Sequence, residues 1–461
     1  MTTAKIDTIA AVSTPPGRSA IGVIRISGPE TFSILKKVFS PAGKREFPAS
    51  FFAYPGFIHA PDDRKKLDQV VVTTYPSPRS FTGEDVAEIA THGNPVVMTA
   101  VLAALYKSGA SRAQPGEFIR RAFLNGKVDL LEVEATAQIL ASQTISQAQI
   151  ALEQLSGLPC EKIRDIRTSL FQHLAQLEAS LSFPEDSIED LDYVSFKNDC
   201  ESILKKMQNI LNCARQGSAI SKGLPIVLLG RPNTGKSSLL NCILGRERAI
   251  VTPHAGTTRD TIEEQFAVGD YPVRFIDTAG LRSPTDQIEE IGIQKTKDAM
   301  NQAFLVLGIF DVSAPLTKED YDVINEIRNS AKPSVIVFNK CDLLYTLQES
   351  DTELFSGFPS VNISALSGSG IDELLKHIEQ KIKDSGMENL EEMIYLGAHQ
   401  ISSLEAAIEA LKRTIAGSGT IFPDMLAVEL GDTIKHLGSV TGDTFDINML
   451  DRIFETFCIG K

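Results

Sequence analysis

Gly230-Arg231-Pro232-Asn233-Thr234-Gly235-Lys236-Ser237 has the spacing of a glycine-rich phosphate-binding loop. The apolar run 226–229 before it indicates a strand, and 238–244 after it indicates a helix, which is the context that the motif requires. Glycines let successive backbone N–H groups converge on phosphate oxygens, and the helix N-terminus adds partial positive charge. We therefore predict that Lys236 reaches the β- and γ-phosphates and that the Ser237 hydroxyl ligates Mg²⁺.

Three further motifs, each at the end of a predicted strand, indicate a guanine nucleotide. In Asp277-Thr278-Ala279-Gly280, the aspartate can hold Mg²⁺ through water, and the glycine lets a backbone N–H approach the γ-phosphate. In Asn339-Lys340-Cys341-Asp342, the Asp342 carboxylate can accept hydrogen bonds from guanine N1–H and the exocyclic amine, a pair that adenine cannot supply. In Ser364-Ala365-Leu366, a backbone N–H can meet guanine O6.

The segments before and after Asp277-Thr278-Ala279-Gly280 supply candidate catalytic groups. Thr258, in Gly256-Thr257-Thr258-Arg259-Asp260, is the natural second hydroxyl ligand of Mg²⁺. Leu281 stands where many small GTPases have the glutamine that orients the attacking water. Glu289 is a candidate replacement, and a solvated carboxylate at a helix start is the alternative.

Composition limits the class of protein. With 461 residues, the chain is long enough for two to four domains, and its 43% apolar and 23% charged content is ordinary for a globular protein. The net charge of −14 argues against general nucleic-acid affinity but leaves room for a local basic patch. Six cysteines without a C-x-x-C pair indicate neither a disulfide framework nor a zinc site. We expect a cytosolic protein without membrane contact, since no apolar run approaches the roughly 20 residues of a transmembrane helix and no signal peptide is evident.

The predicted secondary structure changes at three points along the chain. Residues 1–125 indicate a mixed α/β domain, with strands at 20–28 and 69–75 and a helix at 95–106. Residues 126–220 indicate long helices, with a polar connector at 217–223. Strands and helices alternate over residues 221–384, which predicts a mostly parallel sheet, and residues 385–461 indicate helices again. We therefore expect a multidomain α/β protein in which an α/β domain is inserted into a helical one.

Several motifs together resemble one family over essentially the whole chain. They are Phe81-Thr82-Gly83-Glu84-Asp85-Val86, Pro115-Gly116-Glu117-Phe118, Arg121-Ala122-Phe123-Leu124-Asn125-Gly126-Lys127, Gly256-Thr257-Thr258-Arg259-Asp260 and the terminal Cys458-Ile459-Gly460-Lys461. The chain is similar to the bacterial tRNA-modification GTPases of the MnmE (TrmE) family. The resemblance implies a folate-binding N-terminal domain, a discontinuous helical domain and an inserted Ras-like GTPase domain. It also implies a homodimer that joins the FAD-containing protein MnmG in a heterotetramer and modifies C5 of the wobble uridine of certain tRNAs.

The resemblance assigns a folate site to the N-terminal domain and the end of the chain. A tetrahydrofolate derivative, in the 5-formyl or 5,10-methylene form, would contact Arg25, Glu84, Lys127 and Lys461. Their charges suit a pterin edge and a glutamate tail. From the residues alone, Arg25 and Glu84 would be interpreted as ordinary surface charges.

The resemblance also implies that K⁺ activates hydrolysis by joining two GTPase domains. Asn233, Thr252, His254 and Thr257 would hold this ion, His254 through its backbone carbonyl, and the ion would supply the charge that an arginine finger supplies elsewhere. Glu289 would position the attacking water indirectly.

The implied catalytic groups are Glu289, Lys236 and Cys458, although a buried, inert thiol is the alternative for Cys458. The residues expected to contact GTP or GDP are Asn233, Thr234, Gly235, Lys236, Ser237, Ser238, Thr252, Thr257, Thr258, Asp277, Thr278, Ala279, Gly280, Asn339, Lys340, Asp342, Ser364, Ala365 and Leu366.

Two functions remain open at this point. The first is a GTPase coupled to modification of the tRNA wobble uridine. The second is a GTP switch that assists assembly of ribosomes or RNA without modifying bases. The N-terminal motifs and the C-x-G-K ending favour the first.

Overall fold

The computed structural model describes residues 7–43, 47–48, 51–182, 192–247, 265–277, 298–346, 351, 353–387, 393–420, 422–443, 454, 457 and 460. The chain divides into two compact units, each assembled from separate stretches of sequence. The first unit comprises Met1–Ala137, Cys160–Ala175 and Leu430–Lys461, and the second comprises Gln138–Pro159 and Gln176–Glu429. The domain limits predicted at 125, 220 and 384 stay predictions.

In the first unit, seven of the strands that the structure describes form one sheet. They are β1 (Ile9–Val12), β2 (Ile21–Ser27), β3 (Phe39–Pro41), β4 (Phe52–His59), β5 (Lys66–Tyr75), β6 (Val86–His92) and β7 (Ser111–Arg112). Their order is β3-β4-β5-β6-β2-β1-β7, and only the β1–β7 pair is parallel. The strands predicted at 20–28 and 69–75 are therefore confirmed as β2 and part of β5.

Two helices, α1 (Thr31–Val38) and α2 (Pro95–Lys107), supply the apolar side chains that cover one face of this sheet. Side chains alternate between the two faces of a strand, so in β2 the residues Ile24 and Ile26 enter this core while Arg25 lies on the opposite face. The predicted helix at 95–106 is confirmed. Asn94 begins it by accepting a hydrogen bond from the Val96 N–H, with proline next in the chain.

The second unit contains a six-stranded sheet among its described residues. Its strands are β8 (Leu224–Leu229), β9 (Gln265–Val268), β10 (Tyr271–Asp277), β11 (Leu305–Asp311), β12 (Ser334–Asn339) and β13 (Ser360–Asn362). The order is β13-β12-β11-β8-β10-β9, and all neighbours are parallel except the β9–β10 hairpin. β11 and β12 are buried along their whole length, as expected for strands covered on both faces. The predicted, mostly parallel sheet is confirmed.

The structure describes ten further α-helices with given bounds. They are α3 (Glu117–Leu124), α4 (Leu130–Ala141), α5 (Ile145–Leu155), α6 (Leu158–Ser182), α7 (Tyr193–Lys222), α8 (Lys236–Glu247), α9 (Lys318–Ser330), α10 (Ile371–Asp384), α11 (Ala398–Gly417) and α12 (Pro423–Thr441). A short 3₁₀ helix covers Glu353–Phe355. Within the described residues, no helix is long and apolar enough to cross a membrane.

The connector predicted at 217–223 is wrong, because α7 continues to Lys222 and β8 begins at Leu224. Gly217 serves close packing here: a Cβ on it would lie 2.3 Å from the Ile394 carbonyl oxygen. The Ser218 hydroxyl donates to the carbonyl of Leu396, 2.6 Å away. The small and polar residues at the end of α7 therefore allow the segment 394–396 to pack closely against this helix.

Candidate functional site

The strand ends of the six-stranded sheet bring the nucleotide motifs to one edge. β8, β10, β11 and β12 are parallel, so their carboxyl ends face the same way. Asp277 pairs in register with Leu228 of β8, and Asp311 pairs with Asn339 of β12. Ligands of open parallel sheets bind beyond the carboxyl ends of the strands. The predicted motifs at 230–237, 277 and 339–342 thus occupy the position at which such a ligand binds.

The phosphate-binding loop follows β8 and ends at Lys236, the first residue of α8. Asn233 has a positive φ of 65° and an exposed side chain, whereas Thr234 is buried and donates through its hydroxyl to the Arg231 carbonyl. Lys236 Nζ donates to the carbonyls of Gly230 and Arg231, at 2.7 and 2.8 Å. Its ammonium therefore folds back over the loop. The first N–H groups of a helix have no intrahelical acceptor, which suits this loop to phosphate oxygens.

One buried side chain joins three of the predicted nucleotide loops. Asn339 is 1% exposed, and its Nδ2 donates to the Thr234 carbonyl at 2.8 Å. Its Oδ1 accepts from the Ala365 N–H at 3.0 Å. Asn339 thus fixes the phosphate-binding loop relative to the 364–366 loop. The same two hydrogen bonds fix both loops relative to the segment 339–342, which carries Asp342.

Two loops carry the residues expected to contact the base: the guanine-recognition loop, residues 339–346, and the 364–366 loop. Asp342 is exposed and Leu366 is 90% exposed, while Ser364 is buried and closes its own turn by accepting from the Ser367 N–H. Lys340 has a positive φ of 67°, and its Nζ lies 2.6 Å from Asp311 Oδ2. A carboxylate and an apolar side chain exposed together suit the edge and the face of a purine base.

Mg²⁺ would take its protein oxygen ligands from the phosphate-binding loop and the start of α8. Ser237 and Ser238 lie in the first turn of α8 and are exposed. The described residues hold no group of three or more His, Cys, Asp or Glu that could bind a metal.

Many predicted site residues lie outside the described part of the chain. They are Thr252, His254, Thr257, Thr258, Thr278, Ala279, Gly280, Glu289, Cys458 and Lys461.

A charge network surrounds the N-terminal candidate Glu84 in the first unit. Glu84 Oε2 accepts from the Ser27 hydroxyl at 2.6 Å, and its Oε1 lies 3.2 Å from Arg121 Nη1. Arg121 also contacts the carboxylates of Glu117, at 2.7 Å, and Asp7, at 3.0 Å. The side chains of Glu84 and Arg121 are only 13% and 12% exposed. The interpretation of Glu84 as an ordinary surface charge is therefore wrong.

Arg25 lies in a second ion pair, on the face of β2 opposite the one that α1 and α2 cover. Its Nη2 is 2.8 Å from Glu88 Oε1, and its side chain is 18% exposed, so it is no ordinary surface charge either. The guanidinium lies 5.3 Å from the ring centroid of Phe81 and 5.8 Å from that of Phe118. Phe81 is itself 41% exposed. An exposed aromatic ring beside charged groups suits a flat, polar ligand.

The 81–84 loop contains one of the three described folate candidates, Glu84, and contacts the other two, Arg25 and Lys127. Phe81 lies under Arg25, and Glu84 belongs to the loop. A Cβ on Gly83 would lie 3.2 Å from Lys127 Cε, so the Lys127 stem packs against this residue. The structure thus brings Arg25, Glu84 and Lys127 to one loop.

The glycine of the C-x-G-K ending packs against β1 in the same unit. Gly460 has φ +102°, and its carbonyl accepts from the Ser13 hydroxyl at 3.0 Å. A Cβ on Gly460 would lie 2.1 Å from the Val12 carbonyl oxygen, so only glycine fits. β1 pairs directly with β2, the strand that carries Arg25.

Sequence reasoning missed three contributors to these sites. Arg121 and Phe81 stand inside motifs quoted for the resemblance, yet no role was assigned to them. Asp311 ends a strand of apolar residues, and Asp277 likewise ends a mainly apolar strand; that similarity was the available signal.

Comparisons with known proteins cover nearly the whole chain. A family model described as the MnmE helical domain matches residues 130–458, and one described as the GTP-binding protein TrmE N-terminus matches residues 8–127. The tRNA modification GTPase MnmE of Natranaerobius thermophilus is 38% identical over 457 residues, 99% of both chains. The protein of the same name from Aquifex aeolicus is also 38% identical, over 98% of this chain and 99% of that protein. A solved structure of Aquifex aeolicus Era bound to GDP and aluminium fluoride is 26% identical over 40% of this chain and 66% of that chain, with a TM-score of 0.28.

Proposed function

The chain belongs to the MnmE family of tRNA modification GTPases, and from this premise we propose that it uses GTP hydrolysis to modify the wobble uridine of certain tRNAs. The group added at C5 is carboxymethylaminomethyl or aminomethyl, and its one-carbon unit comes from a tetrahydrofolate. The relatives that support this proposal match the chain from end to end, so both the N-terminal and the helical parts are represented.

The observation that carries the GTPase assignment is the Asn339 bridge. Its two hydrogen bonds join the phosphate-binding loop to the 364–366 loop, so the phosphate and base sites belong to one pocket edge. Lys236 would neutralise the β- and γ-phosphates, and Ser237, with Thr258, would hold Mg²⁺. Asp342 would accept hydrogen bonds from the guanine edge, which selects GTP over ATP.

We propose that K⁺ activates hydrolysis when two GTPase domains associate. Asn233 is exposed in the phosphate-binding loop, where its side-chain oxygen can join a cation shell. Thr252, His254 and Thr257 would complete that shell, and the cation would offset developing negative charge on the phosphates. Glu289 would position the attacking water, because Leu281 has no polar group with which to do so.

The folate proposal is supported by the chemistry of the 81–84 loop. Ionised carboxylate oxygens only accept hydrogen bonds, so Glu84 suits the N–H groups of a pterin edge. Arg25 and Lys127 supply positive charge for the glutamate tail, and Phe81 supplies an exposed ring for stacking. Lys461 would follow Gly460, which packs against β1.

We propose a homodimer that acts with the FAD-containing MnmG in a cytoplasmic heterotetramer. The described cysteines Cys160, Cys200, Cys213, Cys242 and Cys341 are free thiols, which agrees with a reducing compartment. Cys458 would take part in modification, as the resemblance implies.

Mass spectrometry of tRNA nucleosides tests the proposal. A strain that lacks the gene should lose the modified wobble uridine, and the intact chain should restore it. Lys236→Ala should fail to restore it, because phosphate binding is lost, whereas Asn329→Ala, on the exposed surface of α9, should restore it fully. Unchanged wobble uridines in the deletion strain would refute modification and favour the assembly switch.

A further inference from the structure

Asp311, the last residue of β11, is held between the guanine-recognition loop and its own turn. Its Oδ2 lies 2.6 Å from Lys340 Nζ. Its Oδ1 accepts from the Ser313 N–H at 3.0 Å and from the Ser313 hydroxyl at 2.6 Å. Only 8% of the Asp311 side chain is exposed. Each carboxylate oxygen therefore has a specific partner, and the carboxylate has one orientation.

The backbone around Asp311 is also bonded to the loop that carries Asp342. The Val312 N–H donates to the Asn339 carbonyl at 3.1 Å, and the Thr346 N–H donates to the Val312 carbonyl at 2.9 Å. The Thr346 hydroxyl donates to the same carbonyl at 3.0 Å. The turn 311–313 thus contacts the guanine-recognition loop at both of its ends, 339 and 346. Asp342 lies between these ends.

Lys340 is the residue in this loop whose conformation most needs support. Its φ of 67° falls in the left-handed region, which is unfavourable for a residue with a Cβ. The ion pair with Asp311 is a charge-assisted hydrogen bond, which is about twice as strong as a neutral one. The pair therefore helps to hold Lys340, and with it the direction in which Asp342, two residues later, leaves the backbone.

The ionisation of Asp311 agrees with this arrangement. Burial by itself would raise the pKa of Asp311, but the hydrogen bonds from Lys340 and Ser313 outweigh burial and lower the pKa below its ordinary value. The carboxylate is thus charged at neutral pH.

We propose that Asp311 is a positioning residue for guanine selectivity: through Lys340 it holds Asp342 in the orientation that accepts hydrogen bonds from the base. This inference rests on the proposed role of Asp342. It adds a residue that touches neither the nucleotide nor the reacting atoms. Without Asp311, the loop should still bind the phosphates, because the phosphate-binding loop and Asn339 are unchanged.

The test compares GDP with IDP, which lacks only the exocyclic amine of guanine. Calorimetry on the full chain should show that the wild type prefers GDP by about tenfold, the loss expected for one hydrogen bond to a carboxylate. In Asp311→Asn, both Kd values should rise, and that for GDP by about tenfold more, because GDP loses the bonds of N1–H and of the amine whereas IDP has only N1–H to lose. The preference should therefore fall toward one, while kcat at saturating GTP stays within about twofold. A merely structural effect would weaken GDP and IDP equally.

Asp322→Asn is the matched control, since Asp322 is an exposed aspartate of α9, and it should leave both Kd values unchanged. If Asp311→Asn does not fold, Asp311→Glu tests the same pair, because it keeps the charge and shifts the carboxylate from its place beside Lys340. Should the chosen variant keep the wild-type preference for GDP, the positioning role of Asp311 is wrong and the role of Asp342 stands. Should the wild type bind GDP and IDP equally, both assignments are overturned.

Discussion

Replacement of Asn339 by alanine tests whether the nucleotide site is held together as the structure indicates. The change removes both hydrogen bonds of a side chain that is 1% exposed, one to the Thr234 carbonyl and one from the Ala365 N–H. Each buried partner that is left unsatisfied costs about 1–3 kcal/mol. We expect a total near 3 kcal/mol, because the smaller side chain lets water satisfy part of the loss. If all of it falls on binding, the affinity for GDP drops by roughly 100-fold.

Calorimetric titration with GDP, together with thermal melting with and without GDP, measures how this loss divides. Part should appear as a lower melting temperature of the protein alone, and the rest as weaker GDP binding. Asn329→Ala, at an exposed position of α9, is the control and should change stability by no more than about 0.5 kcal/mol. If Asn339→Ala matched this control in both measurements, the bridge between the loops would contribute nothing and the reasoning would fail.

Four further predictions concern other residues of the chain. Folding lowers the pKa of Asp311, so its ion pair stabilises the protein above the unfolded value of about 3.9 and is lost as the pH falls through the lower folded value. The difference in melting temperature between wild type and Asp311→Asn should thus be constant down to about pH 5 and should shrink as the pH falls below about 3.9. Glu84→Ala should weaken calorimetric binding of 5-formyltetrahydrofolate while GDP affinity is kept; unchanged folate affinity would remove Glu84 from the site. GTP turnover should be faster in KCl than in NaCl, and Asn233→Ala should abolish that difference; equal wild-type rates in the two salts would refute the K⁺ proposal. Iodoacetamide should label the exposed Cys341 well before Cys200, whose pKa burial raises to about 12, and GDP should protect Cys341; labelling unaffected by GDP would place the base elsewhere.

Local sequence patterns predicted the strands of the second unit that carry the nucleotide motifs. The mainly apolar runs before Gly230, Asp277 and Asn339 became β8, β10 and β12, because a buried parallel strand is recognisable from a short run rich in apolar residues and ended by polar or glycine residues. Each motif then lies at a strand end by necessity. The prediction succeeded since both the strand and the motif are defined within about ten residues of sequence.

Features that depend on distant partners were not predictable. Gly217 looked like a linker residue, because the residue that it packs against, Ile394, is 177 positions away in the sequence. Arg121 is charged and could have been exposed; its burial depends on carboxylates contributed by other segments, including Asp7 and Glu84. Periodicity and propensity report neighbours along the chain, whereas these contacts form only when the chain folds.

Because α7 connects almost directly to β8, a change of tilt at their junction would displace the far end of a long helix. α7 has 30 residues, and only Gly223 separates it from the strand that ends at the phosphate-binding loop. At 1.5 Å per residue the helix is about 45 Å long, so a tilt of about 5° at its C-terminal end would sweep its N-terminal end through roughly 4 Å. A small change of tilt beside the phosphate-binding loop would therefore correspond to a larger displacement at the far end of the helix.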